Sequence, residues 1–114
     1  MKETTAEVLR SARATLSTPK VWGKANLNGD LPPGCDCAYT AIHFEGRYSP
    51  TGTTDECLRL FAKANGIRIV PTRPMFGIAN WNDAPERTHA EVLAAFDKAI
   101  ELAEPRRSKS GRRR

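Results

Sequence analysis

Residues 81–103 read WNDAPERTHAEVLAAFDKAIELA, and they decide the fold class because their second half has an unbroken helical period. Thr88 and Glu91 have the T-x-x-E spacing of a capping box, in which each side chain accepts a hydrogen bond from the other residue's backbone N–H. Glu104-Pro105 ends the pattern, because the residue before a proline avoids the helical conformation. We therefore predict an amphipathic helix between Thr88 and Glu104. Its apolar positions are Val92, Leu93, Phe96, Ala99, Ile100 and Ala103.

Two earlier stretches repeat the T-x-x-E signal, and apolar residues follow each of them at once. Thr4–Glu7 predicts a first helix from about Thr5 to Ser17, which ends at Thr18-Pro19. Thr53–Glu56 predicts a shorter helix that ends at Asn65-Gly66, a pair suited to a left-handed cap. The expected buried faces are Val8, Leu9, Ala12 and Leu16 in the first helix, and Leu58, Phe61 and Ala62 in the second.

A further helix is predicted from about Asp36 to Glu45, with Asp36 as the N-cap and Gly46 at its end. Its apolar face is expected to contain Cys37, Ala41 and Phe44.

The segments between these helices are expected to be irregular. Residues 27–35, LNGDLPPGC, are rich in turn-forming residues and predict a loop. Residues 67–70, IRIV, favour extended structure, but Pro71 and Pro74 follow, so we predict coil or an isolated bridge. The sequence therefore predicts an all-α fold of about four helices in one domain, residues 1–104.

The polar stretch WNDAPERT, residues 81–88, is interpreted as the way into the last helix and not as a reactive site. Asn82-Asp83 suits a turn, Pro85 makes it rigid, and Trp81 is expected to anchor it on the core. Asp83 and Arg87, four residues apart, are placed to pair. The residues given this structural role are Trp81, Asn82, Asp83, Pro85, Arg87, Thr88 and Glu91.

These residues also carry a resemblance to a known family. The stretch resembles the signature W-N-D-x-P-G-R-T-x-x-E-V-L of a family of small uncharacterised proteins from actinobacteria and their phages, although Glu86 stands where the family has Gly. Cys35-Asp-Cys37-Ala38 is similar to a second family mark, and the predicted first helix leading to Trp22 is similar to a third. The resemblance implies a compact helical domain of phage or actinobacterial origin, with no catalytic residue to carry over.

Charge divides the chain into two parts. Residues 1–104 hold twelve Lys or Arg against thirteen Asp or Glu, whereas residues 105–114, PRRSKSGRRR, hold six cations and no acid. The tail is too poor in apolar residues to form a core, so we expect it to be disordered by itself. Its density of cations predicts salt-sensitive, sequence-independent contact with nucleic acid. The cations are Arg106, Arg107, Lys109, Arg112, Arg113 and Arg114.

The three cysteines suggest an alternative that we do not favour. Cys35, Cys37, His43 and Cys57 are potential zinc ligands, but a structural zinc site usually has two close pairs of ligands, each with a wider spacing than C-x-C. A thiol nucleophile with His43 or His89 as its base is a second possibility, without any accompanying motif. We therefore expect reduced structural cysteines, no metal and no cofactor.

The functional hypothesis is a non-enzymatic helical binding protein. We expect its body to engage a host or viral protein and its tail to contact nucleic acid, at a cytoplasmic location. The sequence has no long apolar run and no signal-peptide pattern at its start, so no membrane partner is expected. The alternatives left open are the Cys/His zinc module, a cysteine-dependent enzyme, and a structural component that self-associates.

Overall fold

The computed structural model of the chain describes residues 4–26, 30–46, 53–69 and 74–104. These residues form five helices and, within those ranges, no strand. The helices are α1 (Thr5–Leu16), α2 (Ala38–Gly46), α3 (Thr53–Ala64), α4 (Pro74–Asp83) and α5 (His89–Ala103). The all-α prediction is confirmed, with five helices and not about four. None of the described helices combines the length and the apolar character needed to cross a membrane.

Two of the three predicted capping boxes are present. Thr4 and Glu7 exchange hydrogen bonds at the start of α1, and Thr88 and Glu91 do the same at the start of α5. In α3 the predicted N-cap is wrong, because Thr53 is itself a helical residue. All three signals nevertheless mark helix starts, and each box supplies partners for N–H groups that have none inside the helix.

The core lies where α1 and α3 meet α2 and α5. Phe61 and Phe96 pack with tilted rings at a centroid distance of 4.8 Å, and Trp81 meets Phe61 edge-on at 5.6 Å. The predicted apolar faces of α1, α3 and α5 are all turned inward. Their fully or largely buried members are Val8, Leu9, Ala12 and Leu16, then Leu58, Phe61 and Ala62, then Val92, Phe96 and Ala99.

Helices α1 and α5 pack against each other, and the order of their side-chain contacts is antiparallel. Arg13 lies 2.7 Å from Asp97 at the middle of the pair, and Arg10 pairs with Glu104 at one end. At the other end the Nε2 of His89 lies 2.6 Å from the Leu16 carbonyl. The first and last described helices are therefore joined from end to end.

Helix α4 corrects the sequence interpretation. The two prolines at 71 and 74 indicated coil, but α4 begins at Pro74, and proline is favoured at a first helical position because that N–H needs no partner. Trp81, Asn82 and Asp83 are therefore the last turn of a helix and not a separate turn. The prediction of coil at residues 67–69 is confirmed, and Val70 lies outside the described residues.

Helix α2 starts later than predicted. Asp36 is not its N-cap: it lies in an isolated parallel bridge with Trp22, and the helix begins at Ala38. The Cys37 N–H instead donates to the Thr40 hydroxyl at 2.8 Å. Phe44 was expected on the buried face, but 43% of it is exposed, while Ile42 takes a core position.

Helix α4 approaches the 67–69 segment closely, and Gly77 allows this approach. A Cβ atom at residue 77 would lie 2.5 Å from the Arg68 carbonyl and 2.7 Å from the Ile69 side chain. Contacts this short with a backbone atom force the two segments apart.

We expect Gly77→Ala to lower the free energy of unfolding by about 1–3 kcal/mol, although alanine is the better helix former. Urea denaturation followed by circular dichroism measures the change. Asn80→Ala is the matched control, because Asn80 is exposed on the same helix, and its stability should be equal or slightly higher. A Gly77→Ala variant as stable as the Asn80→Ala control would contradict the close approach.

Candidate functional site

Asn82 is the one fully buried polar side chain in the described part of the chain. Its Oδ1 accepts hydrogen bonds from the Trp22 indole N–H at 2.7 Å and from the Ala38 N–H at 3.0 Å. Its Nδ2 donates to the Gly23 carbonyl and to the Asp83 carboxylate, both at 3.0 Å. The amide therefore uses two donors and two acceptor positions, which is its full capacity.

Three of these bonds join separate parts of the fold, and the fourth joins Asn82 to the adjacent Asp83. Trp22 and Gly23 belong to the segment after α1, Ala38 is the first residue of α2, and Asn82 lies at the end of α4. The bond to Ala38 also satisfies an N–H that has no partner inside α2. Asn82 thus acts as an N-cap for α2 from a residue 44 positions along the chain.

The surrounding contacts strengthen the same junction. The Asp83 carboxylate accepts from the Ala25 N–H at 3.0 Å, and the Lys24 ammonium donates to the Ala84 carbonyl at 2.6 Å. Asp83 is therefore occupied by the backbone, and the predicted Asp83–Arg87 pair is replaced by other contacts. The Asn82 amide is therefore fully used within the fold, and one oxygen of the Asp83 carboxylate accepts from both Ala25 and Asn82.

Arg87 lies over Trp81. Its guanidinium carbon is 4.1 Å from the indole centroid, its Nε donates to the Trp81 carbonyl at 2.9 Å, and its Nη1 is 3.7 Å from Glu91. A cation over an indole face is a stabilising arrangement. Trp81 contacts the core as predicted, and Arg87 covers it on the outer side.

His89 has a structural contact that the sequence did not reveal. Because a carbonyl can only accept, the Nε2 beside the Leu16 carbonyl is the protonated nitrogen. The ring also lies 5.9 Å from the Trp22 ring. His89 thus caps the end of α1.

The potential zinc ligands are not assembled into a site. Among the described residues, no three or more His, Cys, Asp or Glu side chains are placed to share a metal ion. Cys57 is buried in α3 and faces the Thr5 carbonyl, while the Cys35 thiol faces the Lys20 carbonyl. His43 is exposed on α2, where it contacts Tyr39 and Phe44.

The buried thiols are held in their protonated form. Burial raises the pKa of Cys57 to about 12, and the neighbouring Glu56 carboxylate acts in the same direction. Burial also raises the pKa of Cys37, against the lowering effect of its hydrogen bonds with Thr40. A nucleophilic cysteine requires a lowered pKa, so neither environment favours the thiolate.

The tail, residues 105–114, lies outside the described residues, so neither its predicted disorder nor its predicted contact with nucleic acid is tested by the structure. Its six cations are Arg106, Arg107, Lys109, Arg112, Arg113 and Arg114. What the structure shows is where that segment is attached. Glu104 closes α5 beside the start of α1, on the rim of an open cleft.

This cleft is the surface feature that sequence analysis missed. It has a volume of about 650 Å³ and lies between the N-terminal turn of α1, the side of α3 and the C-terminal end of α5. Leu102, 44% exposed, lines it. The sequence places Leu102 outside the apolar face of α5, but it does not show which other helices surround it.

We expect Asn82→Asp to destabilise the protein by about 3 kcal/mol or more, because a carboxylate cannot donate to Gly23 and places a second negative charge beside Asp83. Burial beside Asp83 should raise the pKa of the introduced carboxyl, so the destabilisation should shrink as the pH falls through that pKa. Urea denaturation at pH 7 and pH 5 measures both effects. Asn80→Asp, exposed two residues earlier, should change the stability by about 0.5 kcal/mol or less.

Thiol accessibility gives a second prediction. In the native protein one thiol should react with Ellman's reagent well before the other two, because Cys35 is half-buried whereas Cys37 and Cys57 are buried. The rapid phase should disappear in Cys35→Ser and remain in Cys57→Ser. Three thiols of equal reactivity in the folded state would contradict the burial described above.

Comparison with known proteins yields a match to a protein family. No curated protein and no solved structure matches the chain. The model of a family of unknown function, DUF6197, matches residues 1–102, which include all five helices except the last residue of α5. The chain therefore belongs to the family of unknown function DUF6197.

Proposed function

We propose that the protein is a non-enzymatic helical interaction module, in which the folded body engages a protein partner and the basic tail adds nonspecific attraction to nucleic acid. The observation that carries the proposal is the contrast in charge. Residues 1–104 have a net charge of −1, whereas the ten residues after Glu104 have a charge of +6. Because nucleic acid repels an acidic body, the tail supplies the attraction.

The use of the polar side chains supports a non-enzymatic role. Asn82 and Asp83 are bound to backbone and side-chain partners, and Thr88 and Glu91 cap a helix. The thiols of Cys37 and Cys57 have raised pKa values. Catalysis by these groups would require them to be free to exchange protons or to attack a substrate.

The partner of the body is proposed to be a host or viral protein, and the location cytoplasmic. The support for a phage or actinobacterial origin is the W-N-D-x-P-x-R-T-x-x-E-V-L stretch at residues 81–93 together with the helical family domain. A small domain without a recognisable reaction centre is well suited to bind another protein through its surface.

Binding to a short random-sequence DNA duplex tests the role of the tail. The affinity of the full chain should fall steeply with salt, with a slope of log K against log salt of up to about −5 if all six cations contact phosphates. Deleting residues 105–114, or replacing the six cations with Gln, should abolish retention of the DNA on a low-salt gel.

The matched control replaces Lys63 and Lys98, two exposed cations of the body, with Gln. This variant should bind DNA like the wild type, because neither residue lies in the tail. If the tail-deleted chain retains DNA as strongly as the full chain, the proposed role of the tail is wrong. Stoichiometric zinc in the purified protein would instead favour the Cys/His alternative.

A further inference from the structure

The cleft at the end of α5 combines an apolar surface with an acidic rim. Leu60, Leu102 and Ala103 contribute apolar atoms, and Glu7, Glu56 and Glu104 contribute carboxylates. Arg10 is the one cation that lines it, and that side chain is already paired with Glu104. The charges of the cleft residues therefore sum to −2, so a ligand with several cations and some aliphatic length is complementary to it.

The end of α5 adds to this negative potential. The last carbonyls of a helix have no partner inside it and carry the negative end of the helix dipole. Cations normally occupy the last turn for this reason, but the last turn of α5 contains none. The first cations available to this helix end are Arg106 and Arg107, two and three residues beyond Glu104.

The chain attaches these cations just after a residue that lines the cleft. Glu104 lines the cleft, and the ten residues that follow can reach about 33 Å when extended, which is more than enough to cross it. A segment tethered this closely has an effective concentration in the millimolar range, so contacts with a dissociation constant of about a millimolar or less occupy the site at least half of the time. The aliphatic stems of Arg and Lys can cover Leu60 and Leu102 while their charged ends reach the carboxylates.

We propose that residues 105–114 dock into this cleft of their own chain, as an autoinhibitory contact that competes with other ligands of the tail. The docked tail places its first cations against the Glu56 carboxylate and the end of α5. Inhibition of nucleic-acid binding by the docked tail rests on the function proposed above. The docking itself does not depend on that function.

Amide NMR spectra of the full chain test the docking directly. The comparison is between the wild type and a variant with every tail cation replaced by Gln (R106Q, R107Q, K109Q, R112Q, R113Q, R114Q). Amide signals of the cleft residues Glu7, Glu56, Leu60 and Leu102 should shift between the two proteins, and raising the salt should move the wild-type signals toward the variant positions. The shifts should not depend on protein concentration.

A cleft variant gives the second readout. Glu56→Gln removes one carboxylate of the rim, and Glu86→Gln is the matched control, because Glu86 is exposed in the turn before α5 and away from the cleft. Trypsin should cleave the tail of the Glu56→Gln variant about two- to five-fold faster than that of the wild type, as expected for the loss of a screened ion pair, and Glu86→Gln should have no effect. The same Glu56→Gln change should tighten DNA binding by a similar factor.

Four results would overturn the docking. In the NMR comparison, these are cleft amide signals that do not change when the tail cations are replaced, and signal changes spread evenly over all acidic surfaces. In the trypsin experiment, it is an equal cleavage rate for Glu56→Gln and Glu86→Gln. The fourth is an NMR shift that grows with protein concentration. The last result would place the tail of a second copy in the cleft. Because the NMR and trypsin measurements contain no nucleic acid, failure of the docking is distinguishable from failure of DNA binding.

Discussion

The described fold depends on the buried amide of Asn82. A buried amide with missing partners destabilises a protein by about 1–3 kcal/mol for each unsatisfied group, so its four hydrogen bonds must form together with the burial of the side chain. The bonds fix where the Trp22–Gly23 segment lies, where α2 begins and where α4 ends. Because an amide has directional donors and acceptors, this junction specifies one arrangement, whereas apolar contacts alone tolerate several.

The antiparallel pair of α1 and α5 supplies the other constraint. Each helix begins with a capping box, and His89 at the start of α5 binds the carbonyl at the end of α1. The arrangement brings the start of α1 beside the end of α5, where Arg10 pairs with Glu104. The cleft forms at this junction with α3, so the same packing that completes the core also places the tail attachment beside an acidic surface.

Whether a structural feature could be predicted from the sequence depends on how far apart along the chain its interacting residues lie. Helices α1, α3 and α5 were predicted because capping and apolar period are local signals. Helix α4 was missed because Pro74 was treated as a helix breaker, although proline suits a first helical position. The partners of Asn82 lie 44 to 60 residues away, except for the adjacent Asp83, and a single sequence carries no signal of such contacts. The cleft escaped prediction for the same reason, since three helices line it.

Several polar side chains outside the cleft make structural contacts within the fold. The Asn82 amide and the Asp83 carboxylate bind backbone groups, and burial raises the pKa values of the Cys37 and Cys57 thiols. Glu56 differs from these residues, because it is exposed beside apolar atoms that remain partly open to solvent. Such a surface gains most from a ligand that is both cationic and aliphatic. The ten residues that follow Glu104 have that composition, so in the proposed docking an external ligand of the cleft competes with the tail.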